Sequence, residues 1–536
     1  MRKIAVIDSE TDPFKFGRIP EPFIWGFYDG ERYLEFEDTD DLVDFLECEP
    51  LIVYAHNGGR FDYHFMLHRL CGYDNVKIIG GRLAKFKIGV CEFRDSFNII
   101  PVPLSAYQKT DIDYDKMEAE NRQEHMDEIR AYLKDDCVFL YELVTGFIDQ
   151  YGCHLTQATA SMKTWQKMMQ VKPPQSDQIY YESFSRFYYG GRVQCFQTGV
   201  INEAFKVADI NSAYPTAMLD QHPIGVDYEI CDGSYSELYS ADIVVGNYFY
   251  VVRCVSAGAF PYRMDDGSLG FPTDSDKRVY SVTGWELKAA IDTNTITDFE
   301  ILEVWKHFQY TSFEDYITHF YERRKAAKAA GDVADTLFCK LLMNSLYGKF
   351  GANPENYSNF IIIPPDAVPT DNLTRGRNLD SNLGGAFDFS GMLGPWVLGT
   401  QDLEDEEKRY YNIATAASIT GWVRAYLWRA INRATGVLYC DTDSIAARDF
   451  DLTFGNELGQ WEIEGEFSEG AIAGKKLYAF KHEKTGEFKL ATKGVRLTAD
   501  EVYEVARGGV VHYQPEAPSF SIHSSPRFVE RDVKKT

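Results

Sequence analysis

The stretch Val437-Leu438-Tyr439-Cys440-Asp441-Thr442-Asp443-Ser444-Ile445 decides the reading of this chain. An apolar run enters two aspartates spaced i, i+2 around a threonine, and another apolar residue follows. The pattern predicts a strand–turn–strand hairpin that lifts carboxylates to its tip. Carboxylates held this close repel one another, so the arrangement calls for a divalent cation. A solvated turn uses the same residue types and is the competing reading.

Two other segments complete a phosphoryl-transfer constellation. Ala208-Asp209-Ile210-Asn211-Ser212-Ala213-Tyr214-Pro215 follows the strand-like Phe205-Lys206-Val207 and leads toward a helix. Asp209 is placed to join Asp441 and Asp443 around a pair of Mg²⁺ ions, with a plain helix N-cap as the alternative. Lys340-Leu341-Leu342-Met343-Asn344-Ser345-Leu346-Tyr347-Gly348 reads as a helix that ends near Gly351. Lys340, Asn344 and Tyr347 share one face, and Leu341, Leu342, Leu346 and Phe350 form a core face. A cationic and aromatic face suits a nucleotide, with Lys for phosphate and Tyr for stacking.

The N-terminal region holds a second set of acids. Ile4-Ala5-Val6-Ile7 is a buried-strand candidate running into Asp8-Ser9-Glu10, and strand periodicity puts Asp8 and Glu10 on one face. Leu51-Ile52-Val53-Tyr54 reads as another strand, followed by Ala55-His56-Asn57-Gly58-Gly59-Arg60-Phe61-Asp62. Tyr132-Leu133-Lys134-Asp135-Asp136 opens an apolar-periodic helix, with Tyr132 and Asp136 adjacent at i, i+4. Converging, Asp8, Glu10, Asp62 and Asp136 make a second two-metal site, and Tyr132 is placed to orient a water. Taken singly, each is also an ordinary turn or solvated helix residue.

Together, and in this order, these motifs resemble those of family B DNA polymerases. The resemblance implies that Asp209 and Asp443 bind metal with the Ile210 carbonyl, and that Asp441 is a catalytic neighbour. It makes Tyr214 the residue that excludes a 2′-hydroxyl and Lys340 the triphosphate lysine. Asn344, Tyr347 and Gly348 would shape the nascent base pair. Asp8, Glu10, Asp62 and Asp136 resemble the metal ligands of the family's 3′–5′ exonuclease, with His56, Asn57 and Phe61 holding the single-stranded 3′ end. The Asn57–Asp62 spacer is one residue longer than in some members, which bears on Phe61. Thr159-Ala160-Ser161, Tyr188-Tyr189-Gly190-Gly191 and Lys476-Leu477-Tyr478 resemble DNA-contacting motifs of the protein-primed branch, found in bacteriophages and similar linear replicons. On that likeness Ser161, Tyr188, Gly190, Gly191, Lys476 and Tyr478 contact DNA, the Gly pair by close backbone approach.

The implied fold is multidomain, α/β and α+β. A ribonuclease-H-like α/β exonuclease domain (1–145) precedes a right-hand polymerase with two insertions. Palm occupies 146–219 and 412–495, fingers 313–352 and thumb 496–536. The first insertion, 220–312, would bind a terminal (priming) protein. The second, 353–411, is rich in Gly, Pro, Asn and Asp (Gly384-Gly385 among them), predicts loops and hairpins, and would encircle DNA. The implied partners are template and primer DNA, dNTPs and the terminal protein, with no membrane and a monomeric enzyme. The implied cofactor is Mg²⁺, with Mn²⁺ as the alternative, two ions per active site.

Composition agrees with a large globular enzyme: 45% hydrophobic and 25% charged residues. No apolar run approaches the roughly eighteen residues that span a bilayer. The N-terminus enters a strand directly, so no cleavable signal is expected, and the cytoplasm of a bacterial host is the expected location. Ten cysteines without paired metal spacing read as reduced thiols. Net charge is −26, from 55 basic and 81 acidic residues. Binding to phosphate depends on the local field, and base is enriched in Arg323-Arg324-Lys325…Lys328 and in Lys475–Arg496. Lys328 is the candidate for a second triphosphate contact and Arg324 a weaker one. A nucleic-acid-primed polymerase, an exonuclease with an inactive polymerase half, and a scaffold protein are the rival readings.

Overall fold

The computed structural model describes residues 2–107, 111–233, 244–368, 373, 379 and 387–536. The N-terminal strand Ile4–Thr11 alternates its side chains between two covered faces. Ile4 and Val6 pack with Ile52 and Tyr54 against Ile129, Leu133 and Leu140 of the helix Arg122–Tyr151. Ala5, Ile7 and Val53 face the other way, toward Leu42, Val43 and Leu46 of the helix Thr39–Glu47. Strands Ile4–Thr11, Ile52–Ala55 and Cys91–Asp95 run parallel, whereas Pro22–Tyr28 and Arg82–Ile88 join antiparallel. The sheet is therefore mixed, with helices on both faces.

The helix that carries Tyr132 and Asp136 begins at Arg122, not at Tyr132 as the apolar pattern predicts. Its first turns are mostly polar, with Met126 and Ile129 as the main apolar residues, so periodicity is faint there. It also runs through positions 145 and 146, where a domain boundary is expected, and ends at Gly152, whose φ is +88°.

Strands Ser358–Ile363, Asp388–Leu393 and Trp396–Asp402 of the second insertion extend this same sheet to ten strands. The junction is Phe360 opposite Val76 and Ile361 opposite Asn75. The expected hairpin is present at 388–402. Gly384-Gly385 lie outside the described residues.

The second large sheet centres on the strand Phe205–Ile210, flanked by Ser444–Phe450 and Trp461–Gly474. The almost wholly buried helix Ile413–Ile431 packs behind it. The fingers are the helices Glu314–Ala330 and Val333–Phe350, joined at Gly331 (φ +76°), with Asp332 capping the second by accepting from the Asp335 amide. Leu342, Leu346 and Phe350 are buried and Leu341 half-buried, while Lys340, Asn344 and Gly348 face outward. The first insertion forms a four-stranded antiparallel sheet from Tyr228–Asp232, Ile296–His307, Phe249–Ser256 and Lys277–Thr283.

A buried ion pair fastens that insertion to the palm. Arg424 Nε donates to Glu286 Oε1 at 2.7 Å, with 3% and 2% of the side chains exposed. Replacing Arg424 alone strands a buried carboxylate. R424M is expected to lose ~3–5 kcal/mol in urea unfolding, and the double variant R424M/E286Q to recover most of it.

Candidate active sites

The hairpin predicted from sequence is Ala434–Asp441 and Ser444–Phe450, with Asp441 paired to Ser444. Its two-residue tip is tight. Thr442 has φ +60°, and the Asp443 N–H donates to the Asp441 carbonyl at 2.6 Å, which makes a γ-type turn. A β-branched residue in the left-handed region is strained, so its neighbours must hold it. The Thr442 N–H donates to the Arg192 carbonyl at 2.7 Å. A Cβ on Gly191 would meet the Thr442 side chain at 2.7–3.0 Å.

This turn brings Asp443 beside Asp209. The Ile210 N–H donates to the Asp443 carbonyl at 2.9 Å, and Asp209 stands opposite Ser444 on one side and Glu462 on the other. Burial pushes Asp209 up to about 7, and repulsion from Asp443 and Glu464 adds to it. Asp443 is raised by burial and by Asp441 and Glu464. Oxygen-only donors whose charges oppose one another suit a hard divalent cation.

Asp441 is engaged differently. Lys476 Nζ lies 3.0 Å from its carboxylate, and the Tyr439 hydroxyl donates to it at 3.2 Å. Glu464 escaped the sequence reading. The alternation Trp461-Glu462-Ile463-Glu464 carries the signal, but only pairing with the Asp209 strand turns that face toward the site.

On the nucleotide side, Tyr214 and Tyr347 stack at 4.1 Å with 12° between rings. Gly348 faces open space, and the Asn344 amide donates to the Lys340 carbonyl at 2.8 Å. Lys340 and Lys328 are exposed, and no ion pair among the described residues holds either. Arg323 is taken by Asp335 at 2.8 Å and Lys325 lies near Glu322 and Glu457, so the basic stretch is partly spent. The same holds further on: Lys481 pairs with Glu469, Lys484 with Glu466 and Lys489 with Glu464.

Several residues expected to contact DNA also have partners within the protein. Ser161 is fully buried and hydrogen bonds to Ser345 of the fingers, so it pins two helices together. The close approach allowed by Gly191 is to Thr442, while Gly190 faces open space. Tyr188 packs over Gly351 at the end of the fingers helix, where an added Cβ would meet its hydroxyl at 2.6 Å. Tyr478 stacks on Phe480 at 4.3 Å.

In the N-terminal domain, carboxylate oxygens of Asp8, Glu10 and Asp136 come within 4.8 Å of one another. Asp62 is beside them and buried, accepting from Ser9 Oγ at 2.6 Å. Burial is the largest cause of the raised pKa of each. Asp62 and Asp136 reach about 6, and Asp8 and Glu10 are raised further by their neighbours. Tyr132 offsets part of the effect of burial on Asp136, and its hydroxyl lies 3.4 Å from that of Tyr114.

A cavity of about 780 Å³ opens over these acids. Asn57, with φ +60°, and Phe61 line it, and Phe61 meets Phe14 and Phe520 edge-on at 5.5 and 5.2 Å. His56 lines it too, but its ring nitrogens are committed to Ser96 at 3.0 Å and the Val102 carbonyl at 2.8 Å. Phe14, Tyr114, Arg496 and Phe520 were not foreseen, since three distant segments meet only through folding.

A right-hand fold with an acid pair beneath a nucleotide-facing helix defines the class, a nucleotide-adding polymerase. The family model for DNA polymerase type B, organellar and viral, matches residues 103–425. The DNA-directed DNA polymerase of Enterobacteria phage PRD1 is 37% identical over all of this chain and 98% of its own length. The DNA polymerase of Bacillus phage PZA is 24% identical over 89% of this chain and 86% of its own. The structure of phi29 DNA polymerase with primer-template DNA superposes with a TM-score of 0.74 over the whole of both chains, at 18% identity. The chain belongs to the type B, organellar and viral DNA polymerases and is a DNA-directed DNA polymerase.

The raised carboxylates set a pH dependence. Asp209, Asp62 and Asp136 hold their protons more tightly folded than unfolded. From the ordinary carboxylate value up to about 6–7 the folded protein carries the extra protons, so stability falls as pH rises through that window. In chelator the melting temperature is expected to drop between about pH 4 and about pH 7.5, and less steeply for D209N. An identical slope in D209N counts against a strained Asp209.

Proposed function

We propose that this polymerase copies a linear genome from a protein primer, proofreads with a 3′–5′ exonuclease and displaces the strand ahead of it. The observation that carries the proofreading is the Asp8–Glu10–Asp136 cluster, at the floor of a cavity walled by aromatic rings. Such a cavity fits an unpaired 3′ end, whose bases stack on aromatic faces. Protein priming rests on the likeness to the phage enzymes along the full chain.

Asp209, Asp443 and the Ile210 carbonyl would hold Mg²⁺, or Mn²⁺, at the polymerase site. Asp8, Glu10, Asp62 and Asp136 would do so at the exonuclease site. Bound divalent cations supply charge neutralisation and a more acidic hydroxyl or water. The chain's own groups do the rest. Lys340, with Lys328 behind it, offsets charge on the β,γ-phosphates. Tyr214, stacked on Tyr347, presents a wall under the sugar, and Gly348 leaves room for the base pair. The primer hydroxyl, losing its proton, then attacks the α-phosphate in line, and the bond from the α-phosphorus to the bridging oxygen breaks to release pyrophosphate. In the exonuclease cleft Tyr132, which lines the cavity with Asp136, orients the attacking water. The first insertion binds the terminal protein and the second closes over DNA. The enzyme acts as a monomer in the cytoplasm of its bacterial host.

On a labelled primer-template, D443A is expected to abolish extension while still shortening the primer. D8A should extend yet leave a mismatched end untrimmed. Loss of both activities in either variant removes the two-site reading. Incubation with terminal protein and a single labelled dNTP should yield a protein–nucleotide adduct; extension of DNA primers alone points to a nucleic-acid-primed enzyme. A variant lacking residues 355–405 is expected to copy a short single-stranded template and to stall at duplex. Copying through duplex at the normal rate refutes the encircling role.

A further inference from the structure

Arg192 is 1% exposed and has no carboxylate partner among the described residues. Its Nη1 donates to the Gly258 carbonyl at 2.8 Å, and Nε and Nη2 both reach the Gln194 side-chain oxygen. The guanidinium lies 4.0 Å from the ring of Phe271 and 4.2 Å from that of Trp428. Gly258 and Phe271 belong to the first insertion, and Trp428 to the palm helix Ile413–Ile431. Burial draws its pKa down only to about 10, so it stays charged at neutral pH. A buried cation without a counter-charge is costly, and aromatic faces with two neutral oxygens are modest compensation.

The backbone of this residue does something else. Its carbonyl receives the Thr442 N–H, and Gly191 lies under the Thr442 side chain. Arg424 grips the preceding residues, donating to the Tyr189 and Gly190 carbonyls at 2.5 and 2.9 Å. Residues 189–192 thus form a strap beneath the strained turn that carries Asp443. Past Arg192 the strap continues into Val193–Cys195, which pairs with Tyr439–Asp441 of the hairpin, and the Arg192 guanidinium links this framework to the insertion.

We propose that Arg192 is a positioning residue for nucleotidyl transfer, which ties the Asp441–Asp443 turn to the first insertion and holds Asp443 in register with Asp209. Methionine fills the same slot without the bond to Gly258, and exchange of a buried charge for hydrocarbon is often neutral for stability. R192M is therefore expected to keep its melting temperature and its KM for dNTP. Its kcat for single-nucleotide addition to a DNA primer should fall by roughly a hundredfold, the scale of a small misplacement of reacting groups. R192K, which can still reach Gly258, should recover part of that loss. F271A tests the same link from the insertion side, and its kcat should fall on the order of tenfold at constant KM. A folded R192M with unchanged kcat overturns the proposal. So does a parallel decline of melting temperature, KM and kcat, the mark of a general packing role. Should R192M fail to fold, F271A decides: an unchanged kcat sinks the proposal and a selective fall in kcat sustains it.

Discussion

Like charges held close under partial burial are the constraint on which this molecule is organised. At the polymerase site Asp209 and Asp443 are driven together by a strand ladder and a tight turn, although burial and Asp443 raise the pKa of Asp209, and burial with Asp441 and Glu464 raises that of Asp443. At the second site four acids crowd a cavity floor and burial keeps their pKa values high. Neither arrangement lowers the energy of the bare protein. Each is held by the framework against its own repulsion, as expected where a cation is to be received.

The framework therefore has to be stiff at a few points. Thr442 sits in an unfavourable backbone region and cannot hold itself there. Its support comes from Arg192 and Gly191, which lie far from it in sequence. Ser161 joins the helix Gln157–Met169 to the fingers through Ser345. Strands Ser358–Ile363, Asp388–Leu393 and Trp396–Asp402 are built into the N-terminal sheet itself, so the two segments share a hydrogen-bonded edge. Subdomains with separate names along the chain are in this way mechanically continuous around the reacting groups.

Charge is also arranged locally. The net charge of −26 is unfavourable for a DNA-binding surface. Much of the base in Lys475–Arg496 is already matched to acids on the strand Trp461–Gly474 or to Asp441. Any phosphate approaching that region exchanges one partner for another. Lys340 and Lys328 are exposed and without ion pairs among the described residues, so their charge is not matched within the protein.

The two clusters of acids were legible in the sequence because strand endings, residue types and spacing are local properties. The turn at Thr442-Asp443, the helix with Lys340, Asn344 and Tyr347 on one side, and the adjacency of Asp8 and Glu10 all followed from periods of 2 and 3.6 residues. What lay beyond that reading is non-local. That Glu464 faces Asp209, that Phe520 closes on Phe61, that Ser161 is buried and that Gly191 abuts Thr442 depend on which strand lies beside which. Sequence alone determined which acidic, basic and aromatic groups end a strand or share a helix face, since their character is written residue by residue. Only the tertiary structure decided how those groups are held, because register between distant strands is set by packing of the whole core.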